Sequence, residues 1–143
     1  MTTATTALIG AYYAAFNRQD VDAMLALLAD DVLHEPSQGT PRHGKAAFAD
    51  FLAHMNRCYR ERVIDPVVMV TADGTRAAAE FMLEGEYIAS DDGLPPAAGQ
   101  HYRLRVGAFF EVRDGRIARV SNHYNLADWI AQVNDGSNDG RTG

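Results

Sequence analysis

The stretch LLADDVLHEP, residues 27–36, sets a histidine and a glutamate side by side, His34 and Glu35, just ahead of Pro36, where an apolar helix has ended and a strand begins. An imidazole titrates near neutral pH without tuning, so His34 can take up and return a proton as it stands. A glutamate becomes a strong base only when apolar neighbours desolvate it, and Phe51 and Phe81 are the side chains to do that for Glu35. Alternation along a strand sends the two to opposite faces, unless the proline bends the chain and lets both reach one cavity. Proton transfer is the chemistry on offer, and either residue is a candidate base.

Other chemistries lack their residues. His34, Glu35, His43, His54, His101 and His123 show no metal-ligand spacing along a helix or across paired strands. There is neither a phosphate loop nor a dinucleotide fingerprint, so no metal and no cofactor is expected. Cys58, beside the apolar stripe of a helix, reads as a structural thiol. Thirteen Lys and Arg against 19 Asp and Glu give a net charge of -6, and the basic residues are scattered, which argues against a nucleic-acid partner. A single cysteine cannot form an internal disulfide, and MTTATTALIG lacks the basic start and long apolar run of a signal peptide, which points to the cytoplasm. No apolar run approaches the roughly 18 residues that span a bilayer. The 143 residues, 47% of them hydrophobic, suit one domain over 1–135, with the Gly- and Asp-rich end, 136–143, as a flexible tail.

The elements that must carry these groups can be placed by period. Leu8, Tyr12, Ala15 and Phe16 recur at helical spacing over Thr6 to Gln19, with Thr5 or Thr6 as N-cap. Asp20 reads as the cap of a second helix through Met24, Leu25 and Leu28, and a strand follows from Val32 to Glu35. After the loop SQGTPRHG, a third helix from Lys45 to Tyr59 carries Phe48, Phe51, Leu52 and Met55 on one stripe. Strands over Arg62–Thr71, Thr75–Ile88, Tyr102–Val112 and Arg116–Asn125 form two hairpins of a four-stranded antiparallel meander. The Pro/Gly-rich DDGLPPAAGQ loops between them, and a short helix lies near Asp128 to Val133.

Register decides which side chains face inward. In the second hairpin a two-residue loop would bury Arg119 beside Phe110 and Val112 and turn Ser121 and His123 inward. A three-residue loop with Gly115 left-handed turns Ala118, Val120, Asn122 and Tyr124 inward instead, and we take that one. The inner face then carries Ala79, Phe81, Leu83, Gly85 and Tyr87 against Leu104, Val106, Ala108, Phe110 and Val112. The outer face sets Glu80, Glu84 and Glu86 against Arg103 and Arg105. Helices on one face of a curved antiparallel sheet make an α+β domain with a cone-like cavity. Asn122 and Tyr124 could each donate a hydrogen bond to a carbonyl or enolate oxygen there.

The runs YYAAFNRQDVDAMLALLADDVLHEP, GKAAFADF and AFFEVRDGRIARV, with the order of elements around them, resemble the nuclear transport factor 2-like superfamily with its cystatin-like roll. Within it they are most similar to the ketosteroid isomerase-related, SnoaL-like polyketide cyclase branch, over roughly Ala7 to Val133. The resemblance implies a cone of three N-terminal helices on the sheet. It also implies a cofactor-free isomerase or cyclase, with Glu35 before Pro36 as the base and Tyr12, eight residues ahead of Asp20, as a donor to the enolate. The family's protonated aspartic acid falls on Ala108, whose methyl donates nothing, so half of the usual oxyanion hole is missing. Phe51, Phe81, Tyr87, Ala108 and Phe110 are expected to line the substrate cavity, with Tyr102 and His101 near its entrance. The expected ligand is a small apolar carbonyl compound. A noncatalytic binding module of the same fold is the alternative. Phe109 and Met82 among the outer charges suggest a homodimer through the sheets.

Overall fold

The structure, a computed structural model, describes residues 2–135, so the expected tail at 136–143 lies outside it. Helix α1 spans Thr2–Asn17 and starts before the threonines expected to cap it. Thr5 donates instead to the Gly74 carbonyl at 2.7 Å, pinning the helix to a hairpin turn, and Thr6 donates back to Thr2 at 2.8 Å. Gln19 takes a left-handed φ of 57°, after which Asp20 caps α2 (Val21–Ala26) by accepting from the Ala23 N–H at 3.1 Å. Strand β1 (Leu28–Glu35) begins earlier than Val32, and β2 (Arg42–His43) is a two-residue edge beside it. Then come α3 (Lys45–Cys58), β3 (Tyr59–Val70), β4 (Arg76–Tyr87), β5 (Gln100–Arg113), β6 (Arg116–His123) and α4 (Leu126–Asn134). No helix among the described residues is long and apolar enough to cross a membrane.

The sheet has six strands in the order β2-β1-β6-β5-β4-β3, not the four of the expected meander. It is mixed because β1 runs parallel to β6, His34 beside Val120 and Glu35 beside Ser121. That pairing covers the backbone edge that β6 would otherwise leave open. At the other edge the Asn17 amide clasps β3, donating to the Val63 carbonyl at 3.0 Å and accepting from its N–H at 2.8 Å.

The second hairpin reaches the expected phase by a different route. Asp114 and Gly115 both have positive φ, 53° and 74°, and Arg113 pairs with Arg116. This is a two-residue type I′ loop rather than a three-residue one. The phase change comes from a β-bulge: Glu111 opposes Arg119 and Val112 opposes Ile117, leaving Ala118 as the extra residue. Val120 and Asn122 thereby join Phe110 and Ala108 on the inner face, while Arg119 goes to the outer face. On that face Arg105 meets Glu80 at 3.1 Å and Arg103 meets Glu84 at 3.3 Å.

The helices close over the inner face. Tyr13 meets Phe81 edge-on at 5.0 Å and Tyr12 meets Phe110 at 5.8 Å. Asn125 caps α4, and the helix sets Trp129 against Tyr87 at 4.9 Å, Tyr102 at 5.8 Å and Tyr59 at 6.0 Å. Of these rings Trp129 and Tyr59 face a cavity, and Tyr87 and Tyr102 back them.

Candidate active site

Between the helices and the inner face of the sheet lies a mostly apolar cavity of about 490 Å³, large enough for a small organic molecule. Titratable groups reach it from opposite sides. On the β1 side His34, only 1% exposed, sits against Phe48 (ring centroids 4.6 Å) and Phe51 (4.5 Å). Neither ring nitrogen has a hydrogen-bond partner among the described residues. Burial, with the Arg42 charge adding to it, lowers the imidazole to about 4, so it is neutral at pH 7. An unpartnered buried polar group costs about 1–3 kcal/mol, and such exceptions call for a cause.

On the β3 side stands Glu61. It has no ion-pair partner among the described residues, and its one hydrogen bond comes from the Tyr102 O–H to Oε2 at 2.5 Å. Burial pushes this carboxyl up to about 7 against the opposing pull of the Tyr102 bond. The sequence reading missed Glu61 because it ran the third helix through Tyr59 and opened the strand at Arg62. The signal was present: helix α3 passes into β3 with no linker, and alternation then sets Tyr59, Glu61 and Val63 on one face, away from Arg60 and Arg62.

Of the residues expected in the site, His34, Tyr12, Asn122, Tyr124, Phe51 and Phe81 do border the cavity. Burial raises the Tyr12 and Tyr124 hydroxyls, so both stay protonated donors. The Asn122 side-chain amide has no partner among the described residues. Glu35 is a correction: the parallel pairing of β1 with β6 turns it to the outer face, outside the cavity lining. There it accepts from Arg119 at 3.0 Å, and this bond holds its carboxyl below the usual range. Pro36 does not bring both side chains inward. Tyr87, Ala108 and Phe110 are corrections too, since they lie behind the cavity wall. Tyr87 is fully buried, its O–H donating to the Pro95 carbonyl at 2.6 Å, and the rings of Tyr12 and Tyr13 cover Phe110. Tyr102 reaches the site through Glu61, and His101 points outward, exposed.

One cluster at the rim has metal-type donors. His54 and Cys58, a helical turn apart, and Asp91 bring a nitrogen, a sulfur and an oxygen within 4.8 Å of one another, a set that a zinc-like ion accepts. The spacing His54–Cys58 was legible in the sequence, and the survey of histidines and glutamates passed over it. His54 and Asp91 bond to each other, and the Cys58 thiol donates to the Ser90 carbonyl at 3.9 Å. His54 Nε2 meets Asp91 Oδ1 at 2.8 Å, and Tyr59 donates to Asp91 Oδ2 at 2.7 Å. Burial holds the Cys58 thiol up, away from the thiolate a metal needs. The cluster clasps the loop after β4 onto α3.

A curved sheet closed by helices over an apolar cavity is the nuclear transport factor 2-like fold. Residues 9–120 match the SnoaL-like domain, and the chain belongs to that family. It is similar to a "putative polyketide cyclase" of Pseudomonas putida KT2440, with 59% identity over 93% of this chain and 98% of the other and a TM-score of 0.89. A second protein of that description, from Xanthomonas campestris pv. campestris, shares 55% identity over 92% of this chain and 98% of its own, with a TM-score of 0.90. Similarity to the uncharacterized protein YesE of Bacillus subtilis (strain 168) is 32% identity over 91 residues, which is 62% of this chain and 56% of that protein.

Proposed function

We propose that this protein is a cofactor-free enzyme of the isomerase or cyclase kind, moving a proton on the carbon beside a carbonyl of a small apolar compound. The observation that carries this reading is His34: a neutral imidazole in the cavity wall with both nitrogens unpartnered. A guest carbonyl would supply the partner, and a neutral imidazole donates to the developing enolate oxygen without becoming charged. With its pKa lowered to about 4, His34 is a poor base at pH 7 and a good donor, which revises the role first considered for it. Tyr12, Asn122 and Tyr124 are further donors along the cavity. The names of the two bacterial relatives fit cyclase-type chemistry.

The test is solvent deuterium incorporation into cyclic ketones and enones followed by NMR. Wild-type protein is expected to exchange the protons beside the carbonyl, and His34→Phe to slow exchange by about 10²–10³, the usual cost of one oxyanion donor. Compounds that bind tightly and never exchange would make the protein a binding module instead.

Two copies are proposed to pair through the outer sheet face. Met69, Ala78 and Phe109 share a cross-strand row there, with Met69 50% and Phe109 49% exposed. Light scattering should report a dimer at micromolar concentration, reduced to monomer by Phe109→Glu.

A further inference from the structure

Glu61, Gly85 and Tyr102 are direct partners across β3, β4 and β5, so they form one row on the inner face of the sheet. In such a row the middle side chain normally stands between its neighbours. Here the middle position has none. A Cβ on Gly85 would lie 2.3 Å from Tyr102 Cζ and 2.4 Å from its hydroxyl oxygen, so the phenol occupies the space a side chain would take. It reaches across the missing side chain to meet Glu61 Oε2 at 2.5 Å. The other carboxyl oxygen has no partner among the described residues and is not sealed from solvent, in keeping with Glu61 lining the cavity.

We propose that Glu61 is the catalytic base of this cavity for a neutral, carbonyl-bearing apolar substrate, and that Tyr102, seated over Gly85, is the residue that positions it. The assignment rests on the acid–base reading above. Glu61 removes the proton from the carbon beside the carbonyl, the C–H electron pair becomes the enolate double bond, and the charge passes to the oxygen. The carboxylic acid so formed returns a proton to carbon, so the step balances with no other reactant. The groups around Glu61 support a working acidity near neutral pH. Tyr102 from β5 and Tyr124 beyond β6 are phenols kept protonated by burial, as is Tyr59 on β3 itself. From α1 the cavity is lined by the uncharged Tyr12, Tyr13 and Phe16, and from the turn after it by Gln19. Arg42, the cavity's one guanidinium among the described lining residues, lies at the His34 end, over the Phe51 ring at 5.5 Å. Asp91 and Asp92 border the same cavity, so carboxylates would repel an anionic substrate and not a neutral one.

The experiment compares wild type, Glu61→Gln, Tyr102→Phe and Gly85→Ala in deuterium exchange into cyclohexenone from pH 5 to pH 9, with binding measured in parallel. Glu61→Gln is expected to bind the enone and lose exchange by at least about a hundredfold. The Tyr102 hydrogen bond stabilises the carboxylate, so Tyr102→Phe raises the pKa of Glu61 and moves the rising limb of the rate profile to higher pH; Gly85→Ala, by displacing the ring, does the same. A purely structural role for Tyr102 would lower rates without moving that limb. A carboxyl infrared band that titrates near neutral pH in wild type and is absent in Glu61→Gln provides a readout apart from turnover. Exchange that survives Glu61→Gln overturns the proposal and leaves the acid–base reading standing. A wild type that binds the enone and exchanges nothing at any pH overturns both.

Discussion

The two ends of the cavity hold their titratable groups in opposite ways. His34 is gripped by aromatic rings alone and has no hydrogen bond, whereas Glu61 is aimed by a phenol that crosses an empty glycine position. Burial disfavours charge of either sign, so it drives the imidazole down to about 4 and the carboxyl up to about 7. The same desolvation therefore silences a base at one end and creates one at the other. At neutral pH only the Glu61 end exchanges protons readily, and the His34 end offers a fixed neutral dipole.

The sharpest way to break this contrast is Gly85→Ala, which forces the Tyr102 ring out of its seat. Overpacking of this kind should cost about 2–3 kcal/mol in urea unfolding at pH 7. Next comes Glu61→Gln. A carboxyl whose folded value is raised from 4.5 to about 7 loses stability as pH rises across that window, because the unfolded chain releases its proton first. The variant removes that loss, so it should be more stable than wild type by up to about 3 kcal/mol at pH 8 and no different at pH 4. His34 has the opposite sign. Its folded value lies below the ordinary 6.5, so stability falls as pH drops from 6.5 toward 4, where the unfolded chain alone takes up the proton. His34→Phe should flatten that acid limb and add about 1 kcal/mol at pH 7, since an orphaned pair of polar atoms is gone. In wild type the two slopes oppose each other between about pH 4.5 and 6.5, and each single variant exposes the other. Parallel thermal melts of both variants that tilt the same way with pH would refute the contrast. The smallest effect is expected at Glu35→Gln on the outer face. An ion pair with 37% and 20% exposed side chains contributes within about 0.5 kcal/mol, and enone exchange should be unchanged.

Much of the fold was legible because local patterns and burial agreed. The stripe of Phe48, Leu52 and Met55, the Asp20 cap and the charge pairs between β4 and β5 could all be read from period and residue type. The inward phase of Asn122 was also reached, although the bulge at Ala118 produces it and not the loop. The site was less legible. Glu35 was placed in the cavity by its position before a proline, and a parallel partner strand turned it outward. Glu61 was hidden by a helix end set too late, an error of a residue or two that mattered because it concealed the strand parity.

From sequence alone came the class of the domain, the helical faces, the paired charges of the sheet and the presence of a histidine and a tyrosine able to handle a proton. These follow from periods and residue chemistry within a few neighbours. Tertiary structure alone decided which carboxylate is desolvated. Glu35 and Glu61 are the same residue on the same kind of element, and their acidities part because one meets Arg119 at the surface and the other meets apolar walls and a single phenol. Desolvation is set by everything that surrounds a group in space, and no span of sequence around either glutamate records it.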